Sequence, residues 1–212
     1  MKKLIIIGAG DFGREVSWVV ERVNTVEPVW DLLGFVDDAP EKQGMVVDGY
    51  PVLGMVSYLS EKTEDTWVIC SIGTGKTRKR VMEDVLRNPK LHSASLIDPS
   101  VIVGRNVQVG EGCVVCAGTV LAISSRLESH TIVNLNCTIG HDTVLESFCT
   151  VHPGTNLSGK VHVGACTDIG TGAKIIQELT VCPNCTLGAG TVVVRNITEP
   201  GTYVGIPSQK VH

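Results

Sequence analysis

The residues best suited to chemistry in this chain of 212 residues are His141 and Asp142, adjacent in Ile139-Gly140-His141-Asp142. Imidazole accepts a proton near neutral pH, and a carboxylate bonded to one ring nitrogen fixes the tautomer and raises the basicity of the other. Such a pair suits proton removal from an amine or a hydroxyl as it attacks. A lone His-Asp pair in a turn is also common on plain solvated surface, so adjacency alone does not assign the role.

Three further histidines, His130, His152 and His162, give consecutive spacings of 11, 11 and 10 with His141. A zinc site would need three of them to converge, which these spacings do not favour, and no metal is expected. His152 precedes Pro153-Gly154 and fits the lining of a groove. His162, just before Val163, has a weaker case, and His92 and His212 carry no signal. Of eight cysteines, Cys113, Cys137, Cys149 and Cys185 fall at positions where Thr, Ser, Ala and Val recur, so they read as small core residues with reduced thiols.

A second kind of chemistry is suggested by Gly8-Ala9-Gly10-Asp11-Phe12-Gly13. It follows an apolar run at 3–7 and precedes Val16, Val19, Val20 and Val23, which have helical spacing. In a strand-turn-helix unit the amides around Gly8 and Gly10 can approach a diphosphate at the helix N-terminus. Asp37 or Asp38, at the end of a second strand over 32–36, could accept hydrogen bonds from a ribose or a base. The motif does not separate NAD from a nucleotide sugar, and a purely structural turn is the alternative. Gly73-Thr74-Gly75-Lys76-Thr77 resembles a phosphate loop only in part, because Cys70 stands where that motif has glycine. ATP hydrolysis is therefore set aside, and Gly73 is placed in a strand-to-helix turn near the nucleotide.

The elements that position these residues fall into two halves. A third strand over 67–72 and a helix over 76–87, ended by Asn88-Pro89-Lys90, complete an alternation that predicts a small parallel α/β sheet in residues 1–92. From Ile97 to Val193 every sixth residue is Ile, Val or Leu, seventeen positions without a miss. A period of six is not helical; it predicts a solenoid of three-sided coils over 93–212, with residues 18 apart stacked at roughly 4.8 Å. The fourth residue after each aliphatic is mostly small or β-branched and never charged, so it should point inward near a corner. Gly104, Gly110, Gly140, Gly164, Gly170 and Gly188 follow the aliphatic and are expected to supply unusual backbone angles at the corners. No insertion breaks the period, so the first half must supply the wall around an acceptor. Residues 201–212 read as a tail.

A net charge of −4 argues against general binding to nucleic acid or membrane surfaces. The opening MKKLIII is too short an apolar run for a signal peptide, and no segment approaches a membrane span, so a cytoplasmic protein is expected.

These residues together resemble the hexapeptide-repeat acyltransferases, and more narrowly the bacterial sugar acetyltransferases that include sialic-acid O-acetyltransferases and nucleotide-sugar 4-amino N-acetyltransferases. The resemblance is carried by IIIGAGDFGREV, LLGFVDD, GYPVLG, NCTIGHDTVLESFCTVHPGTNLSG and YVGIPSQKV and covers nearly the whole chain. It implies a Rossmann-like nucleotide-sugar domain followed by a left-handed parallel β-helix, an exception to the right-handed crossover rule. It also implies a homotrimer with active sites between subunits. His141 becomes the general base and Asp142 its support. Acetyl-CoA would lie along a groove where Gly159, Thr171 and Ala189 match contacting positions. The nucleotide would be held by Gly8, Gly10, Gly73 and the Asp37-Asp38 turn. Some members carry a second His near the acetyl group, nine residues past the catalytic one; here Thr150 stands there and His152 follows two residues later. The expected reaction is direct acetyl transfer from acetyl-CoA to a sugar amine, with no covalent enzyme intermediate. The alternatives are O-acetylation of a sugar hydroxyl, a non-catalytic nucleotide-binding trimer, and an NAD-dependent oxidoreductase, the last weakened by the absence of a substrate domain.

Overall fold

The structure is a computed structural model and describes residues 1–211; His212, for which the sequence carries no signal, lies outside the described residues. The first half is a six-stranded sheet. Strands β1 (Lys2–Ile7), β2 (Trp30–Val36), β3 (Val46–Val47), β4 (Tyr50–Gly54), β5 (Thr66–Cys70) and β6 (Leu91–Ser93) lie in the order β3-β4-β2-β1-β5-β6. All neighbours are parallel except the β3-β4 pair. Helix α1 (Asp11–Val26) covers one face with Val16, Val19 and Val20, which are almost fully buried, and α2 (Gly75–Val85) packs Met82 and Val85 on the other. Central β1 is buried on both sides from Leu4 to Ile7, as a parallel strand between two layers must be.

The second half stacks seventeen two-residue strands, β7 (Leu96–Ile97) to β23 (Val192–Val193), in three parallel sheets. Each partner lies 18 residues away, as in Leu96, Val114 and Ile132. The second residue of every strand is one of the period-six aliphatics, so the sequence count and the strand count coincide. The coil is the left-handed parallel β-helix.

The inward small residues are buried as expected, and they also bond. Thr119, Thr131, Thr143, Thr155 and Thr167 each donate a hydroxyl to the carbonyl fifteen residues on. The thiols of Cys113, Cys137 and Cys149 occupy the same rungs, 3.1–3.2 Å from Glu128 O, His152 O and Gly164 O. Cysteine is thus interchangeable with threonine here, as a compact side chain with a donor.

Two expectations are corrected. The glycines after the aliphatics do not hold the unusual angles; left-handed φ falls two residues later, at every sixth position from Asn106 to Gly190, and includes His130, Asp142 and Phe148. The six glycines are instead required by space. A β-carbon on Gly104 would sit 2.7 Å from Ile123 N, and one on Gly110 2.8 Å from Ser129 N, because the next coil crosses directly over them. The carboxy-terminal segment is likewise no loose tail: Thr202–Val204 adds in parallel to Thr186–Leu187, and Gln209–Lys210 folds back on it.

The halves are joined by two arginine contacts, one part-buried and one fully buried. Arg22 on α1 makes a bidentate pair with Asp98, whose side chain is wholly buried. Burial alone would raise the Asp98 carboxyl, but Arg22 and Ser100 hold it below the usual carboxylate range. Arg78 on α2 is also fully buried, and its guanidinium donates to Ile72 O and Gly73 O in its own domain. Across the junction it reaches His130 O, Phe148 O, Cys149 O and Thr150 Oγ1. Among the described residues no helix is long and apolar enough to cross a membrane.

Candidate active site

His141 and Asp142 sit at a corner just after the strand Thr138–Ile139, and the ring Nδ1 is 2.8 Å from Asp142 Oδ2. Here Asp142 is one of the left-handed corner residues, φ +56°, which turns its carboxylate back toward its neighbour. With Nδ1 on the carboxylate, Nε2 is left as the proton acceptor. Nε2 lies over Gly159, the residue 18 positions on in the next coil, so closely that a β-carbon there would overlap the ring. The imidazole is about half exposed, so a substrate can reach it.

The other predicted residues divide into groups. Thr171 and Ala189 stack one coil apart at a different corner, after Asp168–Ile169 and Thr186–Leu187, so Gly159 is with His141 and these two are not. Thr150 is buried in the domain junction, where its hydroxyl donates to Gly73 O and accepts from Arg78. His152 stands in the same sheet near Asp168, whose carboxyl is pushed up by burial and drawn down by Gly75 N, Arg78 and His152. Gly73 contributes its carbonyl to that junction.

At the glycine turn, Gly8 has φ +101° and a β-carbon there would meet Ser71 Oγ at 2.6 Å. Ser71 Oγ donates to the carbonyls of Ile7 and Gly8, fixing the turn to β5. Gly10 caps α1 with no side chain bonded to the first helical amides. Asp37 reaches the turn from the end of β2: Oδ2 accepts from Ala9 N at 2.7 Å and from Lys42 Nζ at 2.9 Å, and Oδ1 accepts from Ala39 N. Burial opposes ionisation, yet these donors hold the Asp37 carboxyl below its ordinary value. Asp38 Oδ1 accepts from Val56 N.

Sequence reasoning missed Lys42 and Arg78. Lys42 Nζ lies 3.8 Å from where a β-carbon on Gly10 would be, placing a cation beside free helical amides. Arg78 is one of four cations in Gly75-Lys76-Thr77-Arg78-Lys79-Arg80, and only inward helical spacing from Met82 and Val85 could have singled it out. Among the described residues no three metal-ligating side chains converge.

Known proteins resemble the chain along most of its length. Residues 3–85 match the PglD N-terminal domain family. The GDP-perosamine N-acetyltransferase of Escherichia coli O157:H7 is 28% identical over 189 residues, covering 87% of this chain and 82% of that protein. The acetyltransferase domain of PglB from Neisseria gonorrhoeae FA1090, solved in complex with acetyl coenzyme A, is 32% identical with a TM-score of 0.91 over 99% of both chains. PerB from Caulobacter crescentus, solved with CoA and GDP-perosamine, is 27% identical with a TM-score of 0.87 over 100% of this chain and 98% of that one. With its fold matched along nearly its full length by such a protein at 32% identity, the chain belongs to the hexapeptide-repeat sugar acetyltransferases.

Proposed function

We propose that the protein transfers an acetyl group from acetyl-CoA to the 4-amino group of a nucleotide-linked sugar. The observation that carries this reading is the His141 imidazole, oriented by Asp142, seated over Gly159 and about half exposed as a ring. Its support in the comparisons is the relatives named for perosamine N-acetylation and the complexes with acetyl coenzyme A and with CoA and GDP-perosamine. The Caulobacter crescentus enzyme was also crystallised with a histidine replaced by asparagine or by alanine.

In the reaction the sugar nitrogen attacks the thioester carbon while Nε2 takes one of its protons. Asp142 stabilises the imidazolium that forms, and a backbone amide stabilises the tetrahedral oxyanion. The carbon–sulfur bond then breaks, and the imidazolium returns its proton to the CoA sulfur, leaving amide and free CoA thiol. Holding both reactants on a rigid coil supplies the orientation. In this reading residues 1–92 hold the nucleotide through Gly8, Gly10, Gly73 and Asp37-Asp38, with Lys42 beside the diphosphate. Residues 93–212 hold acetyl-CoA through Gly159 at the His141 corner and Thr171 and Ala189 at another, with Thr150 and His152 toward the domain junction. Because His141 stands on an open corner, the site is completed by a neighbouring copy in a homotrimer. On this reading the enzyme works in the cytoplasm.

The test is release of free CoA thiol with a panel of GDP-, UDP- and dTDP-linked 4-amino sugars, each beside its 4-hydroxy analogue. Turnover with an amino sugar, reduced on the order of 10²-fold or more in His141→Ala, is expected. Turnover only with the hydroxy analogues would establish O-acetylation instead, and near-normal turnover in His141→Ala would remove the base assignment.

A further inference from the structure

The packing reading takes in Cys185 but not its neighbour: Cys182-Pro183-Asn184-Cys185 is a pair at the CxxC spacing. These four residues make a corner of the coil. Pro183 holds the second position, and Asn184 holds the third with φ +64°, the pattern of a type II turn. A β-turn brings its first and last Cα atoms within about 7 Å, a span that includes the roughly 4.4–6.8 Å between Cα atoms in disulfides. The two sulfurs are 3.5 Å apart. The same spacing recurs at Cys113 and Cys116, but those residues flank a strand and diverge: Cys113 lies in the β-helix core, and Cys116 packs toward the α/β domain.

The pair is asymmetric. Cys185 is buried, and burial together with the neighbouring thiol pushes its ionisation up. Cys182 is partly exposed, so a small reagent meets its sulfur first. The turn also abuts the terminal hairpin, since Cys185 Sγ lies 3.7 Å from Glu199 O, which accepts from the Tyr203 hydroxyl.

We infer that Cys182 and Cys185 form a redox-active dithiol that closes to an intramolecular disulfide by exchange with a low-molecular-weight disulfide such as oxidised glutathione. The Cys182 thiolate attacks one sulfur of the reagent, its S–S bond breaks, and one glutathione leaves and takes up a proton. The Cys185 thiol then gives up its proton and attacks the Cys182 sulfur, expelling the second glutathione. Two protein thiols lose two electrons and two protons, and one disulfide becomes two thiols. This site is independent of the proposed acetyl transfer and uses none of its residues.

The test is incubation of the folded full-length chain with oxidised glutathione, followed by denaturing alkylation and peptide mass spectrometry. Trypsin releases residues 175–195, which carry both cysteines and no other. The expected result is a loss of two hydrogens and of both alkyl groups on that peptide, with the other six cysteines alkylated and dithiothreitol reversing the change. Cys185→Ala, the side chain found at Ala173 on the same rung, should trap glutathione on Cys182, whereas Cys182→Ala should stay unmodified. Full alkylation of 175–195 under conditions that oxidise free dithiothreitol would overturn the inference. So would a stable glutathione adduct on the unsubstituted chain, or modification of Cys185 in Cys182→Ala.

Discussion

The imidazole of His141 lies against the α-carbon of Gly159, stacked one coil above it with no room for a methyl group between them. The two positions are 18 residues apart and so occupy the same corner on successive coils. The hydrogen bond to Asp142 fixes the ring at one nitrogen, and the bare glycine leaves room for the edge that carries the other.

Gly159→Ala should therefore act on the ring and not on the fold, because the β-carbon meets the end of an exposed side chain. A displacement of an ångström in a reacting group can cost on the order of 10²-fold in rate. The expected outcome is kcat reduced on that order with the thermal midpoint nearly unchanged. A variant with unchanged kcat would mean that His141 need not sit where the structure puts it.

At the other end of the site, Lys42 has one carboxylate partner, Asp37, and stands beside the uncapped start of α1. A diphosphate bound there gains both the helix amides and this ammonium. Lys42→Ala should raise KM for the nucleotide sugar about tenfold, the scale of one charge-assisted hydrogen bond, and leave KM for acetyl-CoA unchanged. The loss should shrink at high salt, which screens the same attraction. Equal effects on both KM values would place Lys42 elsewhere in the mechanism.

Arg78 is where the two domains depend on one side chain. Its guanidinium satisfies carbonyls on both sides of the junction and, among the described residues, has no carboxylate hydrogen-bonded to it. Burial lowers its pKa, yet arginine stays charged. Arg78→Met keeps much of the volume but leaves Ile72 O, His130 O and Phe148 O without their donor, at about 1–3 kcal/mol each, while Gly73 O and Cys149 O keep Thr150 Oγ1 and Ile132 N. A loss of at least ~3 kcal/mol in denaturant unfolding is expected. A midpoint within a degree of the parent would show that water satisfies the junction equally well.

Much of this architecture is legible in the sequence because packing imposes it residue by residue. A coil with three faces admits one large aliphatic per strand, and Ile97 through Val193 record that constraint in full. The left-handed corners are less legible. Phe148, Lys160 and Glu178 hold angles that residues of their type seldom adopt, enforced by the backbone ladders above and below and not by local preference. The His-Asp pair is visible as a pair, but its seat over Gly159 follows only once the 18-residue stacking is known. Arg78 and Lys42 are invisible for a related reason: each sits among exposed cations, and only tertiary contact distinguishes it.

The last prediction concerns pH and follows from the neighbours of Arg78. His130 is buried, its ring stacks on Phe148 with centroids 4.8 Å apart, and its carbonyl accepts from Arg78. Burial, aided by the Arg78 charge, pushes its pKa down to about 4, against 6.5 when unfolded. The unfolded chain therefore binds a proton on this residue at higher pH than the folded chain does. His130 destabilises nothing above pH ~6.5, and stability falls as pH drops through 6.5 toward 4, by on the order of 2 kcal/mol. Asp168, whose carboxyl is raised by burial, and the other titrating groups are common to variant and parent, so the difference between the two isolates the histidine. His130→Asn, which tolerates the left-handed φ of +59° at this corner, should flatten the unfolding free energy across that interval. If the variant and the parent lost stability equally there, the buried imidazole would not be the group responsible.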